Sequence, residues 1–142
     1  MEAYSSTNNK KIQMFTAQDI QTAHSKVKSG ADFPSYIREI RDMGVTHYEA
    51  YVSDGHTDYH GANSHTATVP AKYDPITVAD KVNNDVFKAE LLVHQQGKTD
   101  YLTFIRMCAE TGIEKWEIRM DKLTCTYFDK AGNEILEENI PQ

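Results

Sequence analysis

Six side chains between positions 47 and 60 could do chemistry together. His47, Glu49, Tyr51, His56, Asp58 and His60 alternate with apolar or small residues across a run that turns at Asp54-Gly55. Alternation of period two places alternate side chains on one face of a sheet. Imidazoles and carboxylates on one face can ligate zinc or a similar cation, and His47, His56, Asp58 and His60 are the candidate metal ligands. No ligand-spacing motif accompanies them, neither a CxxC pair nor an HExxH helix. The alternative is a solvated polar sheet face, and no cofactor is expected.

A second set recurs. The stretch from Phe33, FPSYIREIRDMGVTHYEAYVSDGHTDYHGAN, is echoed from Tyr101 as YLTFIRMCAETGIEKWEIRMDKLTCTYFDKA, at an offset of 101 − 33 = 68. Ile37-Arg38 matches Ile105-Arg106, Gly44 matches Gly112, Glu49 matches Glu117 and Tyr59 matches Tyr127. Arg38, Arg106, Glu49 and Glu117, with Tyr51 as an aromatic wall, are the candidate ligand-binding residues. An arginine fork suits a carboxylate or a phosphate. The competing reading pairs each arginine with the glutamate of its own half, for folding alone. At the matched positions of the histidine hairpin the second copy has Lys115, Glu117, Arg119, Thr124, Thr126 and Phe128, so only the glutamate recurs.

Other catalytic signatures are missing: there is no phosphate-binding glycine loop, no GxSxG elbow and no kinase set. Cys108 is expected on the inward stripe of a helix and Cys125 in a strand, both as buried free thiols. The net charge of −6 argues against general nucleic-acid binding, which needs a basic surface. No apolar run approaches the length of a membrane span, and the polar N-terminus lacks the apolar core of a signal peptide, which points to the cytoplasm.

The elements that must position these residues follow from period and punctuation. Thr16 and Asp19 predict a helix start, with Ile20, Ala23 and Val27 on its inner face and Gly30 as its end. Asp32 and Pro34 predict the start of a second helix, buried through Phe33, Tyr36, Ile37 and Ile40 and stopped at Gly44. Strands are expected over 45–53 and from His56, with a third at 66–69. A two-residue Asp54-Gly55 turn would set Glu49 opposite His60 and Tyr51 opposite Asp58. Residues 70–84, with two prolines, read as a connector carrying a short helical turn at 78–82. Helices starting at Asp85 and at Thr99 or Asp100 follow, then strands at 115–120, 123–128 and 134–136.

The expected fold is therefore α+β. Two tandem helix-helix-hairpin-strand repeats, 16–69 and 85–137, would pack with pseudo-twofold symmetry behind a flexible arm at 1–15. The sheet would be antiparallel, with helices on one face and Tyr48 and Trp116 in equivalent places. An unpaired sheet edge would favour a homodimer.

Three segments, DFPSYIREIRDMGVTHYEAYVSDGHTDYHG, VPAKYDPITVAD and HQQGKTDYLTFIRMCAETGIEKWEIRMDKLTCTYFDKAGNEIL, together resemble the YbcV-like proteins, a family of unknown function, over Ala17 to Leu136. Members of that family occur in bacteria and prophages and often carry the label "phage envelope protein". The resemblance implies a phage or prophage connection and transfers no catalytic or ligand residue. The leading functional expectation is a non-catalytic binding protein for a small anionic or nucleotide-like molecule, or for a host protein. A virion structural or assembly protein and a metal-dependent enzyme using the histidine hairpin are the alternatives.

Overall fold

The computed structural model describes residues 14–28 and 30–141. The expected arm at 1–15 lies outside these except for Met14 and Phe15, and Phe15 is already buried in the core. Helix α1 spans Ala17–His24 and α2 spans Phe33–Asp42; strands β1, β2 and β3 follow at Val45–Tyr51, Thr57–Gly61 and Thr66–Val69. The second half repeats the order, with α3 at Asn84–Gln95, α4 at Tyr101–Glu110, and β4, β5 and β6 at Lys115–Arg119, Thr124–Phe128 and Glu134–Asn139.

Local chemistry explains most boundaries. Thr16 Oγ1 accepts from Asp19 N at 3.1 Å and the Asp19 carboxylate accepts from Thr16 N at 3.0 Å, a reciprocal cap on α1. That helix ends at His24, short of Val27, and Gly30 opens a 3-10 turn instead of closing the helix. Asp32 heads α2 without capping it, because its carboxylate accepts from Lys28 N at 2.9 Å. Asp100 caps α4 through Thr103 N at 2.8 Å, and Asn83 rather than Asp85 caps α3.

The connector contains no helical turn at 78–82. Its backbone donors go outward instead, Ala79 N to Ala109 O at 2.8 Å and Asn83 N to Thr111 O at 3.0 Å. This strap lies so close over Gly112 that a Cβ there would meet Lys81 O at 2.7 Å, and the φ of +89° independently demands glycine.

All six strands form one antiparallel sheet in the order β3-β2-β1-β4-β5-β6. The two innermost strands come from different halves, so β1 and β4 are sheltered and the edges are β3 and β6. One face is buried under the helices. Around the first half, Ile20, Ala23, Tyr36, Ile37 and Ile40 pack on Tyr48, Ala50, Tyr59 and Ile118. Around the second, Phe87, Leu91, Phe104, Ile105 and Cys108 pack on Val52, Ile113 and Tyr127. Trp116 touches both clusters. Tyr36 and Tyr59 share a buried hydroxyl–hydroxyl hydrogen bond of 2.9 Å.

The first hairpin departs from its expected register. Glu49 lies opposite Asp58, Tyr48 opposite Tyr59 and His47 opposite His60, two residues away from the pairing a two-residue loop would give. The loop is longer: Tyr51 N donates to His56 O and Gly55 N donates back to Tyr51 O. Val52 is fully buried and its N–H bonds Glu114 O across the sheet, which draws it out of the hairpin ladder. Asp54 then closes the turn by accepting from His56 N at 2.9 Å. A shift of two preserves the side-chain faces, so all six expected residues stay together.

Half-buried His94 lies on Phe104 with ring centroids 4.2 Å apart, and burial lowers its pKa below the ordinary 6.5. Between the lowered value and 6.5 the unfolded chain binds a proton that the folded chain does not, so stability falls as pH drops through this window. Urea unfolding at about pH 7.5 and about pH 5.5 checks this. The wild type loses stability at the lower pH, and His94→Gln loses less; equal losses would contradict it.

Candidate functional site

The open face of the sheet has the geometry of a lattice. Three rows of side chains run across the strands, each neighbour about 4.8 Å from the next. The central row is Thr68, Asp58, Glu49, Glu117, Thr126 and Glu137. On one side runs Thr66, His60, His47, Arg119, Thr124 and Asn139, and on the other Tyr51, Lys115 and Phe128, with His56 against Tyr51. Four carboxylates therefore cross the sheet in line, with Glu49 directly opposite Glu117 at its centre.

Most of these residues are partly shielded by their neighbours; Glu49 is 19% exposed and His60 is 27% exposed. Their hydrogen bonds are specific. His60 Nε2 donates to Glu49 Oε1 at 2.7 Å, and His60 Nδ1 accepts from Thr66 Oγ1 at 3.3 Å. His47 stacks on His60 with centroids 4.4 Å apart. Thr46 Oγ1 gives its proton to His60 O at 3.2 Å, so it accepts from His47 Nδ1 at 3.0 Å. Thr68 Oγ1 donates to Asp58 at 2.8 Å and Thr126 Oγ1 to Glu137 at 3.2 Å.

The flanking cations are engaged elsewhere. Arg119 turns to Asp121, with contacts of 3.0 and 3.3 Å. Lys115 Nζ sits 5.7 Å from the Tyr51 ring centroid and 5.3 Å from that of Phe128. The negative field is felt at Tyr51: burial first, then the charges of Glu49, Asp58, Glu114 and Glu117, hold its hydroxyl above the usual range. At the turn, His56 stacks on Tyr51 and bonds Asp54 through Nδ1 at 2.6 Å. The backbone N–H of His56, followed by its ring, keeps the Asp54 carboxyl below its ordinary value.

The structure thus gathers Glu49, Glu117 and Tyr51 on one face with the whole histidine hairpin. It does not bring Arg38 and Arg106 to them. Both arginines are exposed on α2 and α4, in the layer that covers the opposite face, and neither makes an ion pair among the described residues. A salt-bridged Arg–Glu pair within each half is not formed either, because the sheet lies between them. Of the four proposed metal ligands, His47 and His60 converge, and the third member of their cluster is Glu49. His56 and Asp58 belong to the turn and to Thr68. Thr46 and Thr66, which contact the His47 and His60 rings, carry no sequence signal of that role beyond the adjacency of Thr46 to His47.

Grooves open to solvent lie among the described residues. One of 640 Å³ at the end of β1 and β4 includes Arg41, His47, Arg119 and Asp121. Another, of 460 Å³, lies between α3 and α4 and includes Arg106, Thr103, Glu90 and Glu110. Neither gathers the expected arginine pair. The Cys108 thiol is fully buried and raised by burial, and the Cys125 thiol is pushed up to about 12, so neither is a ready nucleophile.

Together these features define an α+β protein with one antiparallel sheet, covered by helices on one side and carrying an ordered polar lattice on the other. The chain belongs to the DUF1398 family, proteins of unknown function, whose characteristic sequence matches residues 21–139. No curated protein matches the chain. Among the described residues, no helix is long and apolar enough to cross a membrane.

Like charges directly opposite on neighbouring strands destabilise a sheet. Glu117→Gln should therefore raise unfolding stability by about 0.2–1 kcal/mol at low salt, with the gain shrinking in about 1 M salt. Paired urea titrations read this, and a destabilised variant would show that the Glu117 charge serves the fold.

Proposed function

We propose that the chain is a phage- or prophage-associated binding protein, non-catalytic and cytoplasmic, whose working surface is the open sheet face. The observation that carries this reading is the line of carboxylates from Asp58 through Glu49 and Glu117 to Glu137, ordered by threonines and a histidine and left uncovered by any helix among the described residues. A broad acidic face suits a partner with a basic surface, a host protein in the first instance. It suits a small anion poorly, because Arg38 and Arg106 stand apart on the helical layer. The phage connection is supported by the resemblance to YbcV-like proteins.

The same proposal includes the origin of the face. Two copies of a helix-helix-hairpin-strand unit would meet about a pseudo-twofold axis between Glu49 and Glu117. Several observations support this. The β1–β2 and β4–β5 registers coincide at the offset of 68, so that Tyr48–Tyr59 corresponds to Trp116–Tyr127. The β1–β4 register is its own image under that offset. Only the outer pairs differ, β5–β6 being displaced by one residue until the irregularity at Tyr127/Phe128. Pairing of a remaining edge, β3 or β6, offers a route to a homodimer.

Immobilised wild-type protein should retain a basic protein from a bacterial host extract and release it as salt rises. Glu49→Lys/Glu117→Lys should abolish retention, and Arg38→Ala/Arg106→Ala should preserve it. Retention that survives the charge reversal would sink the proposed surface. So would nucleotide binding by native mass spectrometry that is lost in the arginine variant.

A further inference from the structure

We propose that His47, Glu49 and His60 form a binding site for a divalent transition-metal cation of the zinc class. The inference stands on these three side chains and survives loss of the partner proposal. Their potential ligand atoms lie within 4.8 Å of one another, on adjacent strands whose register is held by the buried Tyr48–Tyr59 pair on the opposite face. Rigid strands are better supports for a metal site than loops.

One imidazole of the trio already makes the hydrogen bond a metal site requires, and the other has a hydroxyl beside it that can take up that role. A ligating imidazole normally donates its other ring N–H to a fixed acceptor, which sets both tautomer and orientation. His47 already does so: its Nδ1–H points to Thr46 Oγ1, and its Nε2 lone pair is left to accept a cation. For His60 the cation would replace the proton lying between Nε2 and Glu49 Oε1. That ring proton would then reside on Nδ1, where Thr66 Oγ1 is in place to accept it. The tautomeric exchange needs no net loss of a proton from the ring. Bonds of about 2.0–2.2 Å from two imidazoles and one carboxylate are ordinary for zinc, and to reach them the two stacked rings must swing out of parallel so that both nitrogen lone pairs meet at one ion. Two nitrogens and one oxygen select borderline cations over calcium or magnesium, which prefer all-oxygen shells.

Electrostatics favour a cation here. Glu117 faces Glu49, Asp58 flanks it on the other side, and Arg119, directly across from His47, is tied to Asp121. Three protein ligands leave at least one coordination position directed to the open face, available to water or to a group on a bound partner.

The test is a Co²⁺ titration of the full chain, purified without an affinity tag and stripped with chelator, followed by visible absorption. One equivalent should generate a ligand-field band that Zn²⁺ then abolishes. His47→Gln and His60→Gln should each lose saturable binding while keeping the wild-type circular dichroism spectrum, and His94→Gln, on the covered side, should keep it. Thr66→Val should weaken binding by roughly tenfold. A folded wild type that shows no saturable Co²⁺ or Zn²⁺ binding would overturn the site, as would undiminished binding in both histidine variants.

Discussion

The pairing of β1 with β4 is the constraint on which the rest of this molecule depends. It joins two three-stranded layers, neither large enough to shelter a core well alone, into one six-stranded sheet. On its inner side it sets Tyr48 beside Ile118 and Ala50 beside Trp116, beneath the helices. Trp116 then reaches both apolar clusters and ties the two halves of the core together. Because side chains alternate, the same pairing must set Glu49 against Glu117 on the outer side. The carboxylate line is the reverse of a packing decision.

Magnitudes show why the arrangement holds. Burying one large apolar side chain contributes about 1.5–3 kcal/mol, whereas an unfavourable like-charge pair on a partly solvated sheet face costs about 0.2–1 kcal/mol. The inner face therefore dictates register, and the outer face accommodates it. It does so with neighbours of opposite character: His60 donates to Glu49, threonines donate to Asp58 and Glu137, and Lys115 lies one row away. The face that results is ordered without being covered by any described element. That combination of fixed donors, concentrated negative charge and access to solvent makes it the candidate functional surface among the described residues.

Much of the architecture was legible in the sequence, for identifiable reasons. Period-two alternation put Tyr48 and Ala50 on the buried side of the first strand and His47, Glu49 and Tyr51 on the other, and Gly44, Gly97 and Gly112 marked helix ends where the backbone takes positive φ. The strand at 66–69 was placed at its observed bounds. The hairpin register was misjudged because Asp-Gly signals a tight turn locally, whereas burial of Val52 and its bond to Glu114 are long-range effects. The connector was misread in the same way: its donors are satisfied by α4 and Thr111, which no local pattern reveals. The site was only half legible. Glu49, Glu117 and the histidines could be placed on one face by parity. The separation of Arg38 and Arg106 from them required knowing that the helices cover the other face in both halves, and the ring-orienting roles of Thr46 and Thr66 required the register itself.

The most direct measurement is the set of interstrand proton contacts between β1 and β4 in solution by nuclear magnetic resonance. Cross-strand contacts should pair Tyr48 with Ile118, Glu49 with Glu117 and Ala50 with Trp116, all within one continuous sheet. Two separate three-stranded sheets, or a β1–β4 ladder shifted so that Glu49 no longer meets Glu117, would contradict this pairing.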